Sequence, residues 1–159
     1  MGKLAGIKGK SPEAYPPDFS GQPTISSQSV VNKTPVNFIN TPPVSLLPDG
    51  PIDAGSAEER IIVMFSGQLQ WPNSSEVPGN STVAVGIYLD GSPTPAYSIV
   101  AFVPSSGGIF PSPPQPVPFS LFWETPTDGA HEVDIKANCT TATGATATNG
   151  SLVLITTPV

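Results

Sequence analysis

The chain has 159 residues, of which 21 are proline and 15 glycine, and carries only six basic and twelve acidic side chains. Proline at that density excludes a helical bundle, and the net charge of −6 excludes the basic face of a general DNA or RNA binder. No apolar run approaches the ~18–20 residues of a membrane-spanning helix.

The first ten residues are basic, with Lys3, Lys8 and Lys10, and lack the apolar core of a secretory signal. A chain of this kind that leaves a cell is expected to do so another way, for example inside an assembled particle. Residues 1–56 hold nine prolines, from Pro12 to Pro51, whose spacing leaves no room for a long helix or a central strand. They also hold apolar residues every few positions, unlike a plain spacer. This pattern predicts an extended Pro-rich N-terminal arm that leaves the body and lies in a groove on a partner. Phe19, Phe38, Ile39, Leu46 and Leu47 are its expected apolar anchors, and Lys3, Lys8 and Lys10 its basic tip. Proline stiffness lowers the entropy lost on docking.

From residue 57 to 159 the pattern becomes period two, as expected of strands with a buried face. Ile61, Val63, Phe65, Leu69 and Trp71 alternate with Ser66, Gln68 and Gln70. Thr82 to Leu89 repeats the alternation and ends at the turn signal Asp90-Gly91. Tyr97 to Val103 is the return strand, and the prolines between Pro111 and Pro118 mark a loop. Val117 to Glu124 resumes the alternation. His131, Val133, Ile135, Ala137 and Cys139 face away from Glu132, Asp134, Lys136 and Asn138. Asn149-Gly150 punctuates the end, and Ser151 to Thr157 is the last strand. Six main strands at short spacing predict an all-β fold, an antiparallel β-sandwich or jelly roll.

Several strands are apolar on both faces. Ile62 and Met64 oppose Val63 and Phe65, Val100 opposes Ile99, Phe122 opposes Leu121 and Trp123, and Val153 and Ile155 oppose Leu152 and Leu154. A free sandwich shows water a polar outer face. A second apolar face predicts cover by the arm, by loops or by another chain.

No arrangement of residues carries catalysis. His131 is the lone histidine, and Asp134 lies on the opposite face of its strand. No Gly-x-Ser-x-Gly motif, phosphate loop, zinc pattern or dinucleotide fingerprint occurs. The pairs Glu58/Glu59 and Glu132/Asp134 read as solvated charges, and Asp128, Glu132 and Asp134 match no cation-loop spacing. The lone Cys139 reads as a small core residue. Five Asn-x-Ser/Thr sequons, at Asn32, Asn73, Asn80, Asn138 and Asn149, follow from a composition rich in those residues. No enzyme activity, cofactor or metal is expected.

Residues 128–157 carry a resemblance. Asp128-Gly-Ala-His-Glu-Val-Asp-Ile-Lys-Ala-Asn-Cys139, the Thr/Ala/Gly link after it and Ser151-Leu-Val-Leu-Ile-Thr156 resemble the closing hairpin of jelly-roll domains in phage structural proteins. A Pro-rich arm before a small acidic β-domain is similar to the capsid decoration (cement) proteins of tailed phages. That resemblance implies a homotrimer on the outer capsid surface of the virion, with arms clamping neighbouring major capsid protein subunits, and no direct contact with nucleic acid or membrane. The alternative is a receptor- or glycan-binding head of a phage fibre, with Trp71, Tyr88, Tyr97 and Trp123 as its aromatic platform.

Overall fold

The alternating residues of the chain pair into two antiparallel sheets that share one core. The computed structural model describes residues 25–38, 42–56, 59–70, 82–102, 116–139 and 145–159. Among them are β1 (Ser26–Asn32), β2 (Val36–Phe38), β3 (Val44–Ser45), β4 (Ile52–Ala54) and β5 (Glu59–Gln70). There follow β6 (Thr82–Leu89), β7 (Tyr97–Phe102), β8 (Val117–Thr127), β9 (His131–Cys139) and β10 (Ala145–Pro158). Expectations for residues 1–24, Ile39, Trp71 and the loop at 111–115 lie outside the described residues.

The first sheet runs β1-β10-β5-β8, with β2 continuing along β10 beyond β1. The second runs β3-β9-β6-β7, with β4 continuing along β9. The antiparallel partners are nested: β1 with β10, β3 and β4 with β9, β5 with β8, β6 with β7. A long hairpin nested in this way and rolled into two sheets is a jelly roll, so the expected all-β sandwich is found.

The inward positions form the core. Ile61, Val63, Phe65 and Leu69 of β5 and Leu152 and Leu154 of β10 face Val83, Val85 and Ile87 of β6 and Val133 and Ile135 of β9, all buried. Each such side chain contributes about 1.5–3 kcal/mol on burial. Phe119 of β8 packs its ring 5.8 Å from that of Phe65. Cys139 is buried in the same core.

Two departures from the sequence reading have local causes. The last strand begins at Ala145, not Ser151, because Asn149-Gly150 makes a bulge rather than a turn. Thr148 pairs with Gln68 and Ser151 with Ser66, so two residues of β10 oppose Gly67 alone. The bulge shifts the parity: Ala145 and Ala147 point inward before it, Leu152 and Leu154 after it. Asn149 takes φ +53°, a conformation Asn accepts more readily than most side chains, and its Nδ2 donates to Gln68 Oε1 at 3.1 Å.

The second departure concerns residues 1–56. Over residues 26–54 this segment is no detached arm, since it forms β1 to β4 and supplies an edge strand to each sheet. Proline is tolerated at edges and between short strands, and Pro35, Pro43, Pro48 and Pro51 all fall between strands. Among the described residues of this segment, each strand lies at the edge of its sheet. The sandwich, however, begins at Ser26 and not near residue 57.

Candidate interaction surfaces

The residues expected to hold a partner are dispersed by the fold. Leu46 and Leu47 are 2% and 6% exposed and belong to the chain's own core, so neither is an anchor for another protein. The backbone explains how two consecutive leucines both turn inward. The chain leaves β3 at Leu46, whose N–H donates to the Ile135 carbonyl at 2.7 Å. Leu47 N–H then donates to Ser45 Oγ at 3.2 Å, and the chain reverses through Gly50 at φ +84°. Phe38 ends β2, paired with Ala145. Lys3, Lys8, Lys10, Phe19 and Ile39 lie outside the described residues.

The outer face of the β1-β10-β5-β8 sheet carries the apolar residues that alternate with the core. The register aligns them in rows. Val153 pairs with Met64, which pairs with Phe122; Ile155 pairs with Ile62, which pairs with Glu124. Phe122 is 58% exposed, while Ile62, Met64, Val153 and Ile155 are half-buried by one another. Serines border the rows on one side: Ser151, Ser66 and Ser120 are aligned. Arg60 and Glu124 border them on the other, Nη1 to Oε1 at 3.9 Å, and both are largely exposed. Such a pair is worth about 0–1 kcal/mol.

The outer face of the second sheet is built differently. It carries Asp53 opposite Glu132, then Asp134 opposite Tyr88, and Lys136 opposite Gly86. Asp134 is buried, accepts from Ser45 Oγ at 2.6 Å through Oδ1, and has Lys136 Nζ 3.7 Å from Oδ2. The same ammonium lies 5.1 Å from the centre of the Tyr88 ring, within cation–π range. Burial pushes the Tyr88 hydroxyl above its ordinary pKa. Pro95 folds over this face: a Cβ on Gly86 would meet the Pro95 ring at 2.9 Å.

One end of the sandwich is latched by the β6–β7 and β8–β9 turns. Asp90 and Gly91 have φ +53° and +66°, and Ser92 N–H donates to Leu89 at 2.9 Å, a turn that suits the sequence Asp-Gly. Asp90 accepts from the Glu132 N–H at 2.9 Å and, through Oδ2, bonds His131 Nδ1 at 2.7 Å. Those bonds, the one to His131 foremost, hold the Asp90 carboxyl below its ordinary pKa. Asp128 Oδ1 lies 3.5 Å from the other ring nitrogen. The acids flanking His131 thus join two turns. Among the described residues no group of three metal-ligating side chains is placed to hold a metal ion. No helix there is long and apolar enough to cross a membrane.

The proposed aromatic platform is not assembled by the described residues. Trp123 sits on the inner face and packs against the core, Tyr88 is 7% exposed, and Tyr97 stands on the edge strand β7. A recess of about 220 Å³, lined by Asn32, Thr34, Val36, Leu47 and Pro48, holds no titratable group.

No family model matches the chain, and no curated protein matches it. Among solved structures it is similar to the crystal structure of the infectious bursal disease virus VP2 subviral particle, with a TM-score of 0.47 and 17% sequence identity. That similarity covers 96% of this chain and 37% of the viral one, so the chain spans little more than a third of its length.

Proposed function

We propose that the chain is a non-enzymatic structural protein of a virion. In this reading it decorates the outer capsid surface as a homotrimer and stabilises the shell by clamping neighbouring major capsid subunits. A jelly roll hosts many functions, so the fold alone does not decide between them. The observation that carries the reading is the apolar outer face of the β1-β10-β5-β8 sheet. An exposed Phe122 beside half-buried Met, Val and Ile on one sheet face is satisfied by another protein surface.

Two further features support it. The stretch 128–157, which resembles the closing hairpin of phage jelly-roll domains, supplies β9 and most of β10, one interior strand of each sheet. Residues 1–24, with Lys3, Lys8, Lys10 and Phe19, join the sandwich at the edge strand β1. Fully extended, 24 residues reach about 80 Å, enough to touch a neighbouring subunit. Attachment through this segment and through several bodies at once raises the effective affinity without one strong contact.

The test is co-sedimentation of the purified chain with shells of the major capsid protein of the same virion. The full chain is expected to bind in fixed stoichiometry. A chain lacking residues 1–24 is expected to keep its β-rich circular dichroism and lose most of the binding. No binding by the full chain overturns the capsid reading. Equal binding without residues 1–24 overturns the clamp.

A further inference from the structure

We propose that the outer face of the β1-β10-β5-β8 sheet docks a second copy of this chain, with Met64 in the middle of its apolar rows and Phe122 as the exposed anchor. This rests on the self-association in the reading above, but not on its trimer or its capsid, since a face that meets its own copy makes a two-fold pair.

The first argument is packing. Met64 and Ile62 alternate with Val63 and Phe65, so they point away from the core, and Phe122 and Val153 flank Met64 in one cross-strand row. Three adjacent strands therefore place apolar side chains side by side. Scattered single apolar residues on a surface are ordinary, whereas a contiguous patch of this kind marks a contact. Phe122 stands exposed on the edge strand β8 beside Met64, with serines bordering the rows on one side and the Arg60–Glu124 pair on the other, an apolar patch with a polar rim.

The second argument is size. Four strands at about 4.8 Å spacing and about eleven residues at 3.4 Å give a face of roughly 700 Å². Stable interfaces bury about 600–1,000 Å² per partner. The face is thus large enough for a second folded copy.

The third argument is charge, and it selects the occupant. The chain carries −6 overall. The aligned rows on this face carry two charges, Arg60 and Glu124, which sit beside each other. A copy of the same acidic chain can approach here without meeting unpaired like charge. A cation and an anion side by side also let Arg60 of one copy face Glu124 of the other. The opposite outer face carries Asp53, Glu132 and Asp134 against Lys136 and repels an acidic copy. A basic partner would be drawn to that opposite face.

Sedimentation velocity on the full chain without capsid, from 1 to 100 µM, tests the proposal. The wild-type chain is expected to sediment as an oligomer. Phe122→Glu and, separately, Met64→Gln are expected to weaken self-association tenfold or more while the far-ultraviolet circular dichroism is retained. Val100→Glu, on the outer face of the other sheet where Val100 is 51% exposed, is expected to leave association unchanged. A wild-type monomer at 100 µM overturns the proposal. In that case, association or hydrophobic-dye binding gained on removing residues 1–24 identifies the chain's own N-terminal segment as the cover. An oligomer that survives both face variants, or is broken by Val100→Glu instead, also overturns it. A monomer here combined with capsid binding would leave the virion reading standing.

Discussion

Asn32 donates through Nδ2 to the carbonyl of Leu46 at 3.0 Å, joining the end of β1 in one sheet to the chain just past β3 in the other. The same amide accepts the Thr34 N–H through Oδ1 at 2.9 Å, an Asx-type turn that ends β1 just before Pro35. One buried side chain therefore terminates a strand and bridges the sheets. It also leaves the amide of the first sequon engaged inside the folded chain rather than open to modification.

Replacing Asn32 by Ala strands the Leu46 carbonyl in a buried setting. An unsatisfied buried group costs about 1–3 kcal/mol. Urea unfolding of Asn32→Ala is expected to show a loss in that range. A loss below about 0.5 kcal/mol, the scale of ordinary surface substitutions, would mean that water replaces the bond and the bridge is unimportant.

The location of Leu46 sets the outcome of truncation. Removing residues 1–24 spares every described strand, and the remaining chain is expected to fold. Removing residues 1–50 deletes β1, β2 and β3 with Leu46 and Leu47, and is expected to give an unfolded or aggregating chain. Leu46→Ala alone is expected to cost about 2–5 kcal/mol. Circular dichroism and denaturant titration read all three. A folded 51–159 fragment would show that the early strands are dispensable.

The body of the sandwich was legible because its strands are long and strictly alternating. Val83, Val85, Ile87 and Val133, Ile135, Ala137 name their buried face by period alone. The second apolar face was legible too, since Met64 and Phe122 break the polar alternation. The role of Leu46 and Leu47 was not. Short edge strands separated by prolines and an extended docking arm share one signature, apolar residues between prolines. Only long-range pairing with β9 and β10 tells them apart. The bulge at Asn149 was hidden likewise, because Asn-Gly serves a turn and a bulge equally well.

Acid stability depends on Asp90. Its carboxyl is held below the ordinary value by the bonds to His131 and to the Glu132 N–H. A depressed folded pKa stabilises the fold above the unfolded carboxylate pKa, roughly pH 4. The contribution is lost as pH falls through the folded value. Asn accepts the positive φ of residue 90 comparatively well, so Asp90→Asn removes the charge with little added backbone strain. The stability gap between wild type and Asp90→Asn is expected to shrink as pH drops below about 4. A gap that persists unchanged at pH 2 would show that the latch does not depend on the carboxylate charge.

Asp134 ties the early chain to β9 through the hydrogen bond that it accepts from Ser45. Ser45 Oγ and Lys136 Nζ both converge on its buried carboxylate. Asp134→Ala removes the shared acceptor and leaves a partly buried ammonium without its counter-ion. Breaking a buried pair from one side costs about 3–5 kcal/mol. Lys136 keeps some access to water, so the expected loss is nearer 2–3 kcal/mol. Lys136→Met leaves the carboxylate with the Ser45 hydroxyl, and is expected to cost about 1–2 kcal/mol by the same reasoning. The double variant Asp134→Ala with Lys136→Met removes both charges at once. Its loss is expected to be smaller than the sum of the single losses by at least about 1 kcal/mol, a coupling that denaturant titration of the four proteins measures. Strictly additive losses would show that the two groups do not sense each other, and that Ser45 alone carries the role of Asp134.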